Sequence, residues 1–154
     1  MAAALASPRR SRDAGPVLKV YTYANCDTCR RAVKWLRAHD LAFTEHPLRE
    51  TPPKTAELRT MLAAQGGELR RLFNTSGRDY RELKLGDRFA SLEKAGAGRL
   101  GEIEAFGLLT HNGNLVKRPF LLGPGVGLVG FSEFARAEAL LRWRLRNDLT
   151  MNAR

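Results

Sequence analysis

Residues 17–40 read "VLKVYTYANCDTCRRAVKWLRAHD", a run that passes from a strand-like to a helix-like pattern. Its first residues mix β-branched and aromatic side chains, which predicts a strand over 17–23. The apolar positions Cys29, Ala32, Val33 and Leu36 then recur at the spacing of one helical face, which predicts a helix from about Asp27 to His39. The period changes at Asn25, Cys26 and Asp27, residues suited to a turn and a cap. Both cysteines of the chain, Cys26 and Cys29, stand at this junction.

Working outward, "LAFTEHPL" reads as a short strand over 41–46, ended by Pro47. "TPPKTAELRTMLAAQGG" reads as a helix over 55–65 with Leu58, Met61 and Leu62 on one side, stopped by Gly66-Gly67. "ELRRLF" and "DYRELKL" read as short helices around the break "NTSG". Residues 87–109 read as two helical pieces around "KAGAGRLG". "NLVKRPFLLGPGVGLVGF" reads as two strands, 119–123 and 127–131, joined by the turn in "GPGVG". Ser132 is placed as the cap of a last helix in which Phe134, Ala137, Leu141 and Leu145 share a face. The order is β-α-β, then helices, then β-β-α. This implies a central mixed sheet with a parallel, right-handed βαβ start and an antiparallel closing hairpin. The organisation expected is a flexible leader over 1–16, one domain over 17–147 and a frayed tail over 148–154.

The chain has 154 residues, 44% hydrophobic and 27% charged, which is the composition of a soluble globular domain with a core of its own. No apolar run reaches the length of a membrane span, so no membrane partner is expected. The leader's arginines follow its short apolar part, unlike a signal peptide, so a cytoplasmic location is expected. The formal net charge of +10 favours an acidic partner: an oxyanion, a nucleic acid or an acidic protein surface. That charge is spread along the chain, and no helix pairs basic with aromatic residues, so no direct sequence-specific nucleic-acid binding is expected.

Two cysteines separated by two residues suit either metal or redox chemistry. Zinc takes four ligands, and Cys26 with Cys29 supplies two. His39 and His46 are spaced too widely to complete a finger, and no second Cys-x-x-Cys exists, so no metal is assigned. The redox reading fits the context better. A helix N-terminus offers unpaired N–H groups and the positive end of the dipole, both of which stabilise a thiolate. Cys26, just before the helix, is the expected nucleophile. Cys29, one turn in, is placed to attack a mixed disulfide on Cys26. Arg30, Arg31 and Lys34 add positive field.

The blocks "YTYANCDTCRRAVKWL", "LFNTSGRDYRELKL" and "NLVKRPFLL…GLVGFSEF" together make the chain resemble the arsenate reductase (ArsC) family and its Spx/MgsR and YffB-type relatives, over about residues 17–145. The resemblance implies an α/β, thioredoxin-like (glutaredoxin-like) fold whose βαβ and ββα halves flank a helical insertion. It places the catalytic cysteine on Cys26 and the second, Spx-like cysteine on Cys29. It places the anion-binding arginine on Arg118, before a structural cis-proline at Pro119. The arginine usual in the "NTRG" stretch is replaced here by Ser76, with Arg78 as its substitute in the same loop. The late arginine of true arsenate reductases has no counterpart near "PGVG". Three functions follow from the resemblance. The first is a thiol–disulfide oxidoreductase with no bound cofactor, using glutathione or another small thiol as co-substrate. The second is an Spx-type redox-switched regulator that docks on the RNA polymerase α subunit. The third is arsenate reduction, with an oxyanion as substrate.

Overall fold

The computed structural model describes residues 17–90, 100–131 and 133–151, without the side chains of 133–137, 150 and 151. The leader 1–16, the "KAGAGRL" region through residue 99, and Ser132 with its capping role lie outside the described residues.

Strand β1 (Leu18–Thr22) leads into helix α1 (Asp27–Ala38), which returns the chain to strand β2 (Phe43–Pro47). β2 pairs parallel with β1, Leu18 opposite Phe43 and Thr22 opposite Pro47. The pairing carries β2 through Pro47, which sits at an open sheet edge where its missing N–H costs no ladder bond. Helices α2 (Thr55–Ala64), α3 (Arg78–Glu82), α4 (Leu85–Ala90) and α5 (Glu102–His111) follow, with short 3₁₀ turns at Leu69–Leu72 and Gly113–Leu115. The chain then enters β3 (Phe120–Gly123), β4 (Val126–Val129) and α6 (Glu133–Met151). The sheet order is β2-β1-β3-β4, with β3 antiparallel to both β1 and β4. This is the expected thioredoxin-like arrangement of βαβ and ββα halves around a helical insertion. The β3–β4 turn is only Pro124-Gly125, with Gly125 at φ +72°, a conformation that suits glycine.

Alternation along the strands separates two cores. Leu18, Val20 and Leu121 point to one face and pack with Leu36, Leu41, Leu140 and Trp143 of the α1 and α6 side. Tyr21, Phe120 and Leu122 point to the other and pack under the insertion with Leu58, Met61, Phe73 and Leu109. The insertion is tied to the segment before β3 by backbone bonds. Asn74 N–H donates to Leu115 O (2.7 Å) and Lys117 N–H to Leu72 O (2.8 Å). They brace the chain directly ahead of Arg118.

Helix α6 buries a stripe other than the one shared by Leu141 and Leu145. Its buried side chains are Leu140 and Trp143, whereas Leu141 and Leu145 are 47% and 63% exposed. "EALLRWRLRNDL" carries two overlapping apolar stripes, and the bulkier one wins. Trp143 also gains a bond from its indole Nε1 to Pro124 O (3.0 Å). Phe134 and Ala137 of the expected face lie outside the described side chains. The helix runs to Met151.

Candidate functional site

Cys26 caps α1. Its backbone is extended (φ −108°, ψ 111°), its Sγ accepts from the Cys29 N–H at 3.3 Å, and its carbonyl accepts from the Arg30 N–H at 3.1 Å. A cap of this kind satisfies an otherwise unpaired helix donor and aims the N-terminal field at the sulfur. The incoming chain is held by Cys26 N–H donating to Tyr23 O at 3.1 Å. Asp27, in the first turn, pairs with Arg30.

The two thiols are free and stand in different surroundings. Cys29 is 2% exposed, while Cys26 is half-buried. Burial acts to raise the Cys26 pKa. The Cys29 side chain and N–H, the Arg118 charge and the Thr28 N–H outweigh it, so the Cys26 thiol lies below its ordinary value. Cys29 is pushed up to about 12, first by burial and then by the sulfur of Cys26. The same neighbourhood thus separates the two thiols, lowering Cys26 and raising Cys29. A cleft of about 400 Å³ opens on the Cys29 side of the pair, bordered by Tyr23, Cys29, Arg30, Lys34, Arg37 and Glu45 but not by Cys26.

Arg118 precedes Pro119, and their peptide bond is cis. Its guanidinium lies 4.9 Å from the Tyr23 ring centroid. Its charge acts on both sulfurs. The structure therefore gathers Cys26, Cys29 and Arg118. Arg78 is the remaining arginine candidate. It sits in the first turn of α3, 79% exposed, with Nε 3.7 Å from Glu82 and 3.8 Å from Asp79. These neighbouring carboxylates, close in sequence on a short helix, take its charge. The exposed Ser76 lends its carbonyl to Arg81 Nη1 at 3.2 Å.

Sequence reasoning passed over Tyr23 and Arg49. Leu48 N–H donates to Thr22 O (2.9 Å), which extends the β1–β2 pairing and sets the next residue beside Tyr23. Arg49 lies 5.2 Å from the Tyr23 ring centroid and donates from Nη1 to the Tyr23 hydroxyl at 3.2 Å. Among 26 lysines and arginines, nothing local marks Arg49; only the pairing of β1 with β2 brings it to Tyr23. Among the described residues there is no group of three or more His, Cys, Asp or Glu side chains that could hold a metal ion. Nor is any helix among them long and apolar enough to cross a membrane.

Comparison with known proteins agrees with this geometry. The model of the ArsC family matches residues 21–138. The uncharacterised protein YusI of Bacillus subtilis is 37% identical over 75% of this chain and 92% of its own length. The regulatory protein MgsR of the same organism is 28% identical over 75% of this chain and 83% of its own. The global transcriptional regulator Spx of Lactiplantibacillus plantarum is 27% identical over 74% and 79%. A crystal structure from Bacteroides fragilis, described as related to the ArsC family, superposes with a TM-score of 0.69 at 31% identity, covering 79% of this chain and 96% of that one.

Proposed function

The chain belongs to the ArsC family, and from that premise we propose that it is a thiol–disulfide oxidoreductase in which Cys26 attacks and Cys29 resolves. The observation that carries the reading is the contrast between the two sulfurs: a half-buried, hydrogen-bonded Cys26 lowered in pKa beside Arg118, and a buried Cys29 pushed up to about 12.

The Cys26 thiolate attacks one sulfur of a disulfide substrate. A Cys26–substrate disulfide forms, the substrate's S–S bond breaks, and the other half leaves as a thiolate that takes a proton from solvent. Cys29 then loses its proton and attacks Cys26 Sγ. The intramolecular disulfide forms and the second substrate thiol departs. Two thiol groups of a small co-substrate such as glutathione return the pair to the reduced state and become a disulfide themselves. Burial, the largest cause of Cys29's high pKa, persists throughout. The contribution of an anionic Cys26 disappears once Cys26 is in the mixed disulfide. Cys29 is therefore easier to deprotonate when it is needed than in the resting protein.

Exposure to oxidised glutathione tests this. Cys29→Ser should accumulate one glutathione on Cys26, read by mass spectrometry, whereas the unmodified chain should pass on to a Cys26–Cys29 disulfide. Absence of adduct on Cys26 in the variant would contradict the reading.

A second reading has support in the relatives Spx, a global transcriptional regulator by name, and MgsR, a regulatory protein by name. There the same cysteine pair is a switch, and the reduced and oxidised chains differ in affinity for the RNA polymerase α subunit. Retention of the reduced or the oxidised chain alone on immobilised α subunit favours it; no retention of either form removes it.

A further inference from the structure

Two guanidinium groups from distant parts of the chain meet on one aromatic ring next to the nucleophile. Arg118 arrives from the segment before β3 and Arg49 from the turn after β2. Their centres lie 4.9 Å and 5.2 Å from the Tyr23 centroid, hence at most about 10 Å apart. Tyr23 is itself fixed to the nucleophile, because its carbonyl accepts the Cys26 N–H. Like charges at such a distance repel, and among the described residues neither arginine is ion-paired. The carboxylate that senses Arg49 is Asp79, and its own hydrogen bonds come from Asn112 Nδ2 (2.9 Å) and Asn114 Nδ2 (3.3 Å). Asp79 balances at most one of these charges, and Arg78 also stands beside it.

We propose that Arg49 and Tyr23 join Arg118 in an anion seat beside Cys26 that selects thiol substrates carrying a carboxylate. Tyr23 is the spacer. Its ring carries both cations, and its hydroxyl, bonded to Arg49 Nη1, sets where that fork points. A carboxylate a few bonds from its own sulfur can then bind the guanidinium forks while the sulfur faces Cys26. Planar forks suit carboxylate oxygens, and arginine keeps its charge at all working pH values. The substrate class rests on the thiol-exchange reading; the seat itself does not.

The test compares alkylation of Cys26 by iodoacetate, which carries a carboxylate, with alkylation by neutral iodoacetamide, scored on the Cys26 peptide by mass spectrometry. The ratio of the two rates isolates local anion attraction from the reactivity of the sulfur. Arg49→Ala should lower this ratio about three- to tenfold with the iodoacetamide rate little changed, and the effect should shrink in high salt. Tyr23→Phe, which keeps the ring but frees the Arg49 fork, should give a smaller drop. Arg59→Ala, a charge-matched control on α2, should leave the ratio unchanged. With glutathione, Arg49→Ala should raise KM, whereas with cysteamine, which has no carboxylate, KM should hold. An unchanged ratio in Arg49→Ala, or equal slowing with both reagents, would overturn the seat. A lowered ratio in a chain that shows no thiol transfer would uphold the seat and reject the exchange reading.

Discussion

Replacing Gly113 by alanine puts a methyl group where the structure has backbone. An added Cβ would lie 2.0 Å from Leu48 O, 2.7 Å from Leu48 C and 2.9 Å from Arg49 Cα. Ordinary contacts begin near 3.4 Å, so the turn after β2 and the 3₁₀ turn before Arg118 must separate by more than 1 Å. No flexible side chain can absorb the shift, because all three atoms belong to the backbone. Overpacking costs about 1–3 kcal/mol in ordinary cores, and this site belongs at the upper end, about 3 kcal/mol. For a chain of this length that is a fall in Tm of about 6–12 °C. Gly107 is the control. It lies in α5 with nothing within 4 Å of an added Cβ. There alanine should stabilise by about 0.5–1 kcal/mol through helix propensity. Urea unfolding measures both, reading the midpoint at constant m value. A Gly113→Ala variant within about 0.5 kcal/mol of the unmodified chain would refute the close approach that sets Arg49 against the segment leading to Arg118.

Leu140→Ala should cost about 2–5 kcal/mol in the same assay, while Leu145→Ala should stay within about 0.5 kcal/mol; reversed magnitudes would restore the Leu141–Leu145 face. Glu57 accepts from Tyr21 Oη (2.9 Å) and the Lys54 N–H (3.1 Å) and pairs with Lys19 Nζ (2.9 Å). Burial acts to raise its pKa, but these partners lower it below the usual carboxylate value. A depressed carboxylate stabilises above its unfolded pKa, and that stabilisation is lost as pH falls through the folded one. Glu57→Gln should therefore cost about 0.5–1.5 kcal/mol at pH 7, discounted for partial solvent screening, and the gap in urea midpoints should close in acid. Arg118→Ala should move the pH profile of Cys26 alkylation by iodoacetamide to higher pH, because one of the charges lowering that pKa is gone.

What could be read from sequence follows how local each signal is. The change from strand to helix at Cys26 is written within a dozen residues, and Cys29, Ala32, Val33 and Leu36 are the residues α1 buries. The mixed strand directions follow from the element order, whereas the pairing of β1 with β3 that gives the order β2-β1-β3-β4 is a tertiary fact. On α6 two stripes compete, and the choice between Leu141–Leu145 and Leu140–Trp143 depends on where Pro124 presents its carbonyl, a tertiary fact. Arg49 was invisible for the same reason, since its partner Tyr23 lies 26 residues earlier. Arg78 shows the converse. A loop position makes an arginine a candidate, but the carboxylates of its own helix decide where its charge goes.

The two cysteines are assigned opposite tasks, and alkylation of each sulfur against pH in the reduced, unmodified chain tells them apart. With iodoacetamide and residue-resolved mass spectrometry, Cys26 should react first, with a midpoint below that of an ordinary thiol. Cys29 should remain unlabelled until the pH approaches its value of about 12 or the fold opens. Labelling of Cys29 ahead of Cys26 at neutral pH would reverse the assignment of nucleophile and resolving thiol.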